Sequence, residues 1–430
     1  MNAQQAYERI LPHVMNLPII DTHEHLPAKE ERRDQNGDLF IEFMRHYFNR
    51  DLISAGMDPK DMERVMNKEG TVMERLKLLE PHWQASRFTG YARALALAAR
   101  DIYDVPHIAA DTIETLYARF EEGMKPGHYE LVLKEKSNIV ISLLDSDPNC
   151  DKRYFRSVFR LEQFLFPFSA DAIQEASGGQ VPRTFPDWLD LCTHAVDREV
   201  SNGCVAFKIG MAYFRPLSVG PATYQEAEAC FQKFSDTLHY PDWQGKPITR
   251  TRAYEDYMLH HVIRRVTHHN LPVQIHTGLQ EGNGNMLPNA DPLKLNNLFL
   301  EYPGTRFVLM HIGYPWHIQM TALAKNFPNV FLDMCWSHII SPNASVQALN
   351  EWLDAVPMNK ICAFGGDYAL IDGVYGHQLM ARENIARSLA DKMALGVMNE
   401  NDAQEVARRL FLDNPYAIFG LKRHGVELPG

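Results

Sequence analysis

The segment Asp21-Thr-His-Glu-His25 follows the apolar run Leu17-Pro-Ile-Ile20 and sets two imidazoles two residues apart. Residues i and i+2 of a strand project from the same face. His23 and His25 are therefore expected to converge on one point at a strand's C-terminal end. Two neutral imidazoles so placed are half of a metal site, and imidazole suits zinc, iron, manganese or nickel. Alone, the spacing fits equally well one histidine pairing locally while the other faces solvent. Further candidates close later apolar runs: Lys208 the fourth, His276 the fifth and His311 the sixth. Asp367 follows Gly365-Gly366 after the eighth. Those two glycines would let the backbone turn tightly and approach a metal closely. Histidine and aspartate recurring at strand ends predict a site for a divalent metal ion.

The elements that must position these residues are short apolar runs rich in β-branched or aromatic residues, as strands buried on both faces should be. They fall at residues 17–21, 138–144, 157–161, 204–208, 272–276, 306–311, 329–333 and 360–364. Amphipathic helical patterns lie between them, at 185–200, 253–269, 292–301, 317–326 and 346–355. Strict alternation of β and α elements implies a parallel sheet, and eight strands predict a closed (β/α)8 TIM barrel. In such a barrel the strand ends share one rim and face a common centre. The regularity breaks between the first two strands. Residues 27–136 are charged, aromatic and helical in pattern (39–49, 59–67, 90–99, 111–122), far more than a crossover needs. They are expected to form an inserted helical cap over the catalytic face, with 1–26 and 137–430 as the barrel. A smaller excursion spans 213–251, and two or three closing helices are expected from 378 to about 420.

Composition narrows the classes. Apolar content of 45% and charged content of 23% are those of a globular protein. A formal net charge of -11 argues against an electrostatic nucleic-acid binder. No apolar run approaches a membrane span, and the first 15 residues lack a basic and apolar leader. A cytoplasmic location with no membrane partner is expected, as is a homo-oligomer. The six cysteines (Cys150, Cys192, Cys204, Cys230, Cys335, Cys362) form no C-x-x-C pair. Neither a disulfide framework nor a cysteine-based zinc site is expected.

On the strand-end motifs the chain resembles the amidohydrolase superfamily, in particular the "amidohydrolase 2" branch of uronate isomerases, aromatic-acid decarboxylases and glutamine-synthetase-linked domains. The motifs are Asp-Thr-His-Glu-His at 21–25, Ala-Phe-Lys-Ile at 206–209, Pro-Val-Gln-Ile-His-Thr-Gly at 272–278, Val-Leu-Met-His-Ile-Gly-Tyr-Pro at 308–315 and Phe-Gly-Gly-Asp at 364–367. The resemblance implies that His23 and His25 are first-metal ligands, with Asp367 a ligand and proton carrier. It makes His276 a ligand, and His311 a second-metal ligand or a hydrogen-bonding electrophile. Lys208 has three readings. It is a carbamylated bridge between two metals, an ammonium holding a substrate carboxylate, or a side chain whose head reaches solvent at the rim.

Arg215, Arg250 and Arg252 are cations near the rim, where an arginine fork would match a substrate carboxylate. For each of them a surface salt bridge is the competing reading. Tyr213 and Trp336 could line the pocket, and Arg45 and His46 could reach it from the cap. The glycine-rich loop 278–284 reads as a lid or rim.

The expected activity is that of a metal-dependent hydrolase using one or two ions, zinc first among them, on a small carboxylated substrate. A metal-activated water would attack, Asp367 would carry the proton, and His311 would donate to the oxyanion. A metal-dependent isomerase or decarboxylase of a sugar acid or aromatic acid is the alternative within the same superfamily. A catalytically silent barrel acting as an interaction module is the alternative of another class.

Overall fold

The computed structural model describes residues 1–30, 37–145, 148–166, 178–179, 182, 184–232, 238–241, 247–250 and 252–429, with side chains omitted over 238–250. Eight parallel strands form the barrel: β1 (Ile19–Glu24), β2 (Ile139–Asp145), β3 (Phe155–Arg160), β4 (Ala206–Ile209), β7 (Val273–Ile275), β8 (Phe307–Leu309), β9 (Val330–Asp333) and β10 (Ile361–Cys362). Their order in the sheet is their order in the chain. Thr22 N donates to Phe364 O at 3.1 Å, which brings the last strand's end back onto the first. Every residue of β1, β4, β7 and β8 is buried, the burial on both faces that unbroken apolar runs imply. The chain is an α/β (β/α)8 barrel.

The excursion after β4 holds the helix Tyr224–Gln232 and an antiparallel pair, β5 (Leu238–Pro241) with β6 (Pro247–Arg250). The expected helix at 346–355 starts earlier, at Pro342–Ala355, because Ser341 caps it and proline fits its first turn. The closing region likewise begins earlier, with the long helix Ile371–Ala394.

Between β1 and β2 the described residues form mainly helices, including Leu39–Met44, Phe48–Ser54, Val72–Ser86 and Gly90–Asp101. The continuous helix expected at 39–49 is broken. Arg45 leaves helical geometry and His46 takes a positive φ of 77°, so the chain turns at His46-Tyr47. Asp38 fixes the start of this segment: its carboxylate caps Phe40 N and Ile41 N and pairs with Arg75 at 2.7 Å.

Two glycines let the cap meet the barrel backbone to backbone. A Cβ on Gly376 would collide with the Ala94 carbonyl, and one on Gly90 with the Ile339 carbonyl. Gly376→Ala is expected to destabilise the protein by about 1–3 kcal/mol, the usual overpacking range. Thermal unfolding checks this, and an unchanged Tm would mean that the two helices do not rely on that approach.

Candidate active site at the C-terminal rim of the barrel

The alternation along β1 puts His23 and His25 side by side, with ring centroids 5.0 Å apart. Two carboxylates face them. Asp145, which ends β2, lies with Oδ2 3.6 Å from His23 Nε2 and 3.7 Å from His25 Nδ1. Asp367 lies with Oδ1 2.9 Å from His25 Nε2 and 3.8 Å from His23 Nε2. Its other oxygen, Oδ2, faces His311 Nδ1 at 3.7 Å. The two oxygens of one carboxylate thus address two different sets of imidazoles.

The loop carrying Asp367 is held on every side. Gly366 N donates to Asp21 Oδ1 at 3.0 Å, Asp367 N to His23 O at 2.8 Å and Tyr368 N to Glu24 Oε2 at 2.8 Å. His377 Nδ1 bonds Gly366 O at 3.1 Å, and the cap's Tyr47 hydroxyl donates to Asp367 O. The left-handed turn falls on Asp367 itself, at φ 55°, and not on the glycines. The glycines serve close approach instead. A Cβ on Gly366 would strike the Glu24 carboxylate, and one on Gly365 would come within 2.8 Å of the Cys335 sulfur. His46, His311, Ile312 and Trp336 also have positive φ, so strained backbone is concentrated around this centre.

Electrostatics follow from burial and neighbours. Burial drives His23 well below the ordinary imidazole range, and brings His311 and His46 down to about 3. Burial opposes ionisation of Asp367, yet the His25 hydrogen bond and the surrounding imidazoles hold it well below the usual carboxylate range. For Asp145 the same burial is outweighed by the Arg160 guanidinium, whose Nε bonds Oδ2 at 2.6 Å.

These residues fit a divalent cation. Gln274 Nε2 donates to Thr22 O at 2.8 Å, which turns its Oε1 toward His23 Nδ1 at 3.1 Å. The His23 proton therefore sits on Nδ1. Nε2 is left as a bare, fully buried lone pair with no hydrogen-bond partner among the described residues. His23, His25 and Asp145 offer ligand atoms all within 4.8 Å of one another, and Asp367 Oδ1 abuts them. Gln274 plays the part of an outer partner that fixes a ligand's tautomer. Gln274→Leu is expected to weaken zinc binding about 10–100-fold, measured by competition with a chelating indicator. Unchanged affinity would remove Gln274 from this role.

The structure places the other anticipated residues as follows. His276 is at the rim but stands apart from the His23–His25–Asp145 group. Its Nδ1 meets His311 Nε2 at 2.9 Å and its Nε2 meets Leu279 O at 2.9 Å. Lys208 is buried against the Met310 sulfur, with 2% exposure, which overturns its reading as a side chain reaching solvent; burial lowers its proton affinity. Tyr213 packs its ring 4.7 Å from that of His276 and accepts from Glu281 N. Trp336 stands edge-on to His311 at 5.3 Å.

Arg215 is not presented to a ligand. It is buried and paired with Glu255 at 2.9 Å and Asp256 at 2.5 Å, because a guanidinium inside the fold must be matched by carboxylates. Arg252 is drawn into the same network through Asp256 and Ser218, and the side chain of Arg250 lies outside the described residues. The loop 278–284 is a pinned rim: Leu279 N bonds Tyr314 O, Gln280 bonds Ala212 O, and Glu281 pairs with the cap's Arg50. From the cap, His46 reaches the centre, 5.5 Å from His25.

Asp145, Arg160, Gln274 and Cys335 were not anticipated. Asp145 immediately follows the second apolar run and Cys335 lies two residues past the seventh, so the strand-end rule that selected His276 and Asp367 applies to them equally. Gln274 sits inside its strand and carries no comparable signal, whereas Arg160 ends β3 but falls one residue short of the end of the apolar run at 157–161.

Histidines and aspartates converging at the C-terminal rim of a (β/α)8 barrel define a metal-dependent enzyme fold of the amidohydrolase type. The chain belongs to the amidohydrolase family, whose pattern matches residues 167–421. Protein fluG of Emericella nidulans is 25% identical over 223 residues, which is 50% of this chain and 26% of that protein. The match thus spans about a quarter of the relative's length. Uronate isomerase from Thermotoga maritima superposes with a TM-score of 0.77 at 16% identity, covering 96% of this chain and 97% of its own. Glucuronate isomerase from Caulobacter crescentus superposes at 0.72 and 15% identity, covering 99% and 95%. At such identities the likeness is one of fold. Among the described residues no helix is long and apolar enough to cross a membrane.

Proposed function

We propose that this protein is a metal-dependent hydrolase of a small carboxylated substrate. The observation that carries the reading is the division of Asp367, with Oδ1 among the metal-site imidazoles and Oδ2 turned to His311. A divalent metal held by His23, His25, Asp145 and Asp367 would supply Lewis acidity and a water acidic enough to ionise near neutral pH. Asp367, ionised at neutral pH, takes the proton of the attacking water and returns it to the leaving group. Arg160 orients the substrate. Its Nε is committed to Asp145, its terminal nitrogens hold no hydrogen bond among the described residues, and its side chain is 38% exposed. A carboxylate can therefore be taken by that fork. His46 and Trp336 help enclose the centre and keep bulk water from it.

The test is turnover of amides, lactones and esters of small carboxylic acids in 18O-labelled water by zinc-, manganese- or iron-loaded protein. Label in the product acid supports hydrolysis. Arg160→Met should raise KM about 10–100-fold, the worth of a hydrogen bond to a charged group, with a smaller change in kcat. No turnover of any such compound would defeat this reading.

Isomerisation of a sugar acid is a second reading, favoured by the way the cap delivers His46 over His25, and in keeping with the named activities of the two superposed isomerases. It would show as deuterium entering a carbon position from heavy water, with no 18O in the product.

A further inference from the structure

The segment between β1 and β2 encloses a cavity of about 430 Å3 that no residue of the metal centre lines. Tyr103, Arg119, Glu122, Lys125 and His128 are among the residues around it. His128 and Tyr103 form its enclosed side, and behind them stands Asp372, wholly buried. His128 Nε2 lies 2.6 Å from Asp372 Oδ1, and the Tyr103 hydroxyl donates to Asp372 Oδ2 at 2.6 Å. An ionised carboxylate only accepts, so the His128 proton sits on Nε2 and Nδ1 of the neutral ring is a lone pair. No described residue bonds that Nδ1, although His128 is only 4% exposed. A ring so enclosed opens only onto the cavity it lines, where Nδ1 is an acceptor without a donor.

Charges of both signs share this cavity. Arg119 spends Nη1 on Tyr103 O at 2.7 Å, Asp104 O at 2.6 Å and Asp104 Oδ2 at 3.3 Å. Its Nε and Nη2 hold no hydrogen bond among the described residues. Glu122 and Lys125 pair neither with each other nor with any other described residue, and Ile102 and Leu131 add an apolar wall. We propose that the cavity binds the zwitterion of an α-amino acid with an apolar side chain and is an effector site for the metal centre. Arg119 and Lys125 take the carboxylate, while Glu122 and His128 Nδ1 take the ammonium. The effect is carried by Asp372, which lies in the first turn of the helix Ile371–Ala394. The head of that helix holds the loop of Asp367. His377 Nδ1 bonds Gly366 O at 3.1 Å, and a Cβ on Gly373 would lie 2.8 Å from the Tyr368 ring. A donor on His128 Nδ1 polarises the Nε2–H bond to Asp372 and so changes how the helix head is held. The amino-acid site itself does not rest on the preceding reading; its effector role does, through the metal.

The experiment is calorimetric titration of metal-free full-length protein with L-leucine and L-phenylalanine. Each is compared with its analogues lacking the amine (4-methylpentanoate, 3-phenylpropanoate) or the carboxylate (3-methylbutylamine, 2-phenylethylamine). At least one amino acid should bind with one equivalent per chain, and both of its analogues at least about tenfold more weakly. Arg119→Met and Lys125→Met should each weaken binding about 10–100-fold, while Arg160→Met at the barrel mouth leaves it unchanged. Lys125 makes no side-chain bond among the described residues, so its variant stays informative if Arg119→Met unfolds. Saturating amino acid should then shift zinc affinity, read with a chelating indicator, by about fivefold or more. That shift should be missing in Lys125→Met, which separates it from chelation of zinc by the free amino acid. Binding of neither amino acid, equal binding of the analogues, or binding lost in Arg160→Met and kept in Lys125→Met would overturn the site. Binding with unchanged zinc affinity would overturn the effector role. A protein that takes up no zinc would defeat the metal-dependent reading and the effector role together, and the calorimetry would still decide the cavity.

Discussion

Asp367→Asn is expected to lower turnover by about two to four orders of magnitude, the usual loss when a positioned general base is removed. The substitution keeps the side chain's shape and the backbone bonds of the loop, so the protein should fold as before. What it removes is charge and basicity at an atom pair that faces His25 on one side and His311 on the other. The amide nitrogen also cannot ligate a metal as a carboxylate oxygen does. Metal affinity should therefore fall, though less than when a histidine is lost. Steady-state kinetics at saturating metal separates the two effects. Near-normal kcat with metal bound would move the proton-transfer role elsewhere, to His311 or to the cap's His46.

His23→Ala should abolish activity and release the bound metal while the barrel stays folded. The side chain is wholly enclosed, its Nδ1 is held by Gln274, and Nε2 is the lone pair aimed between Asp145 and Asp367. Removing it leaves two carboxylates facing one another without a compensating ligand, which is unfavourable in a buried setting. His25→Ala should act in the same direction. Because both residues lie at the rim, where function and not stability is encoded, circular dichroism should show the parent's helix and strand content. Full metal occupancy in either variant, measured by elemental analysis, would refute their assignment as ligands.

The barrel was legible in the sequence because strands buried on both faces are written as short continuous apolar runs. All eight anticipated runs overlap a strand of the barrel. His23, His25 and Asp367 were legible for the same reason, since strand-end position and residue type coincide there. Lys208 was seen but its depth was left open between three readings, because a lysine after Ala206-Phe207 reads alike whether it enters the core or turns outward. Arg215 shows the opposite failure. Its partners Glu255 and Asp256 lie 40 and 41 residues downstream, on the helix Arg252–His268, and nothing local to Arg215 announces them.

The cap's contribution was hidden by backbone conformation. The apolar spacing through 39–49 is that of a single helix, and only the turn at His46, in a geometry most residues avoid, sends His46 and Tyr47 into the mouth. Gly365 and Gly366 were read as makers of a turn. The fold uses them to admit the Cys335 sulfur and the Glu24 carboxylate, a demand set by residues distant in sequence.

His23, His25, Asp145 and Asp367 are proposed to hold a divalent metal at the mouth of the barrel. Anomalous diffraction from crystals of protein produced with zinc or manganese supplementation tests it directly, with data on both sides of the metal's absorption edge. An edge-dependent peak is expected among His23 Nε2, His25, Asp145 and Asp367. A metal bound elsewhere with this centre empty, or no anomalous peak at all despite supplementation, would contradict it.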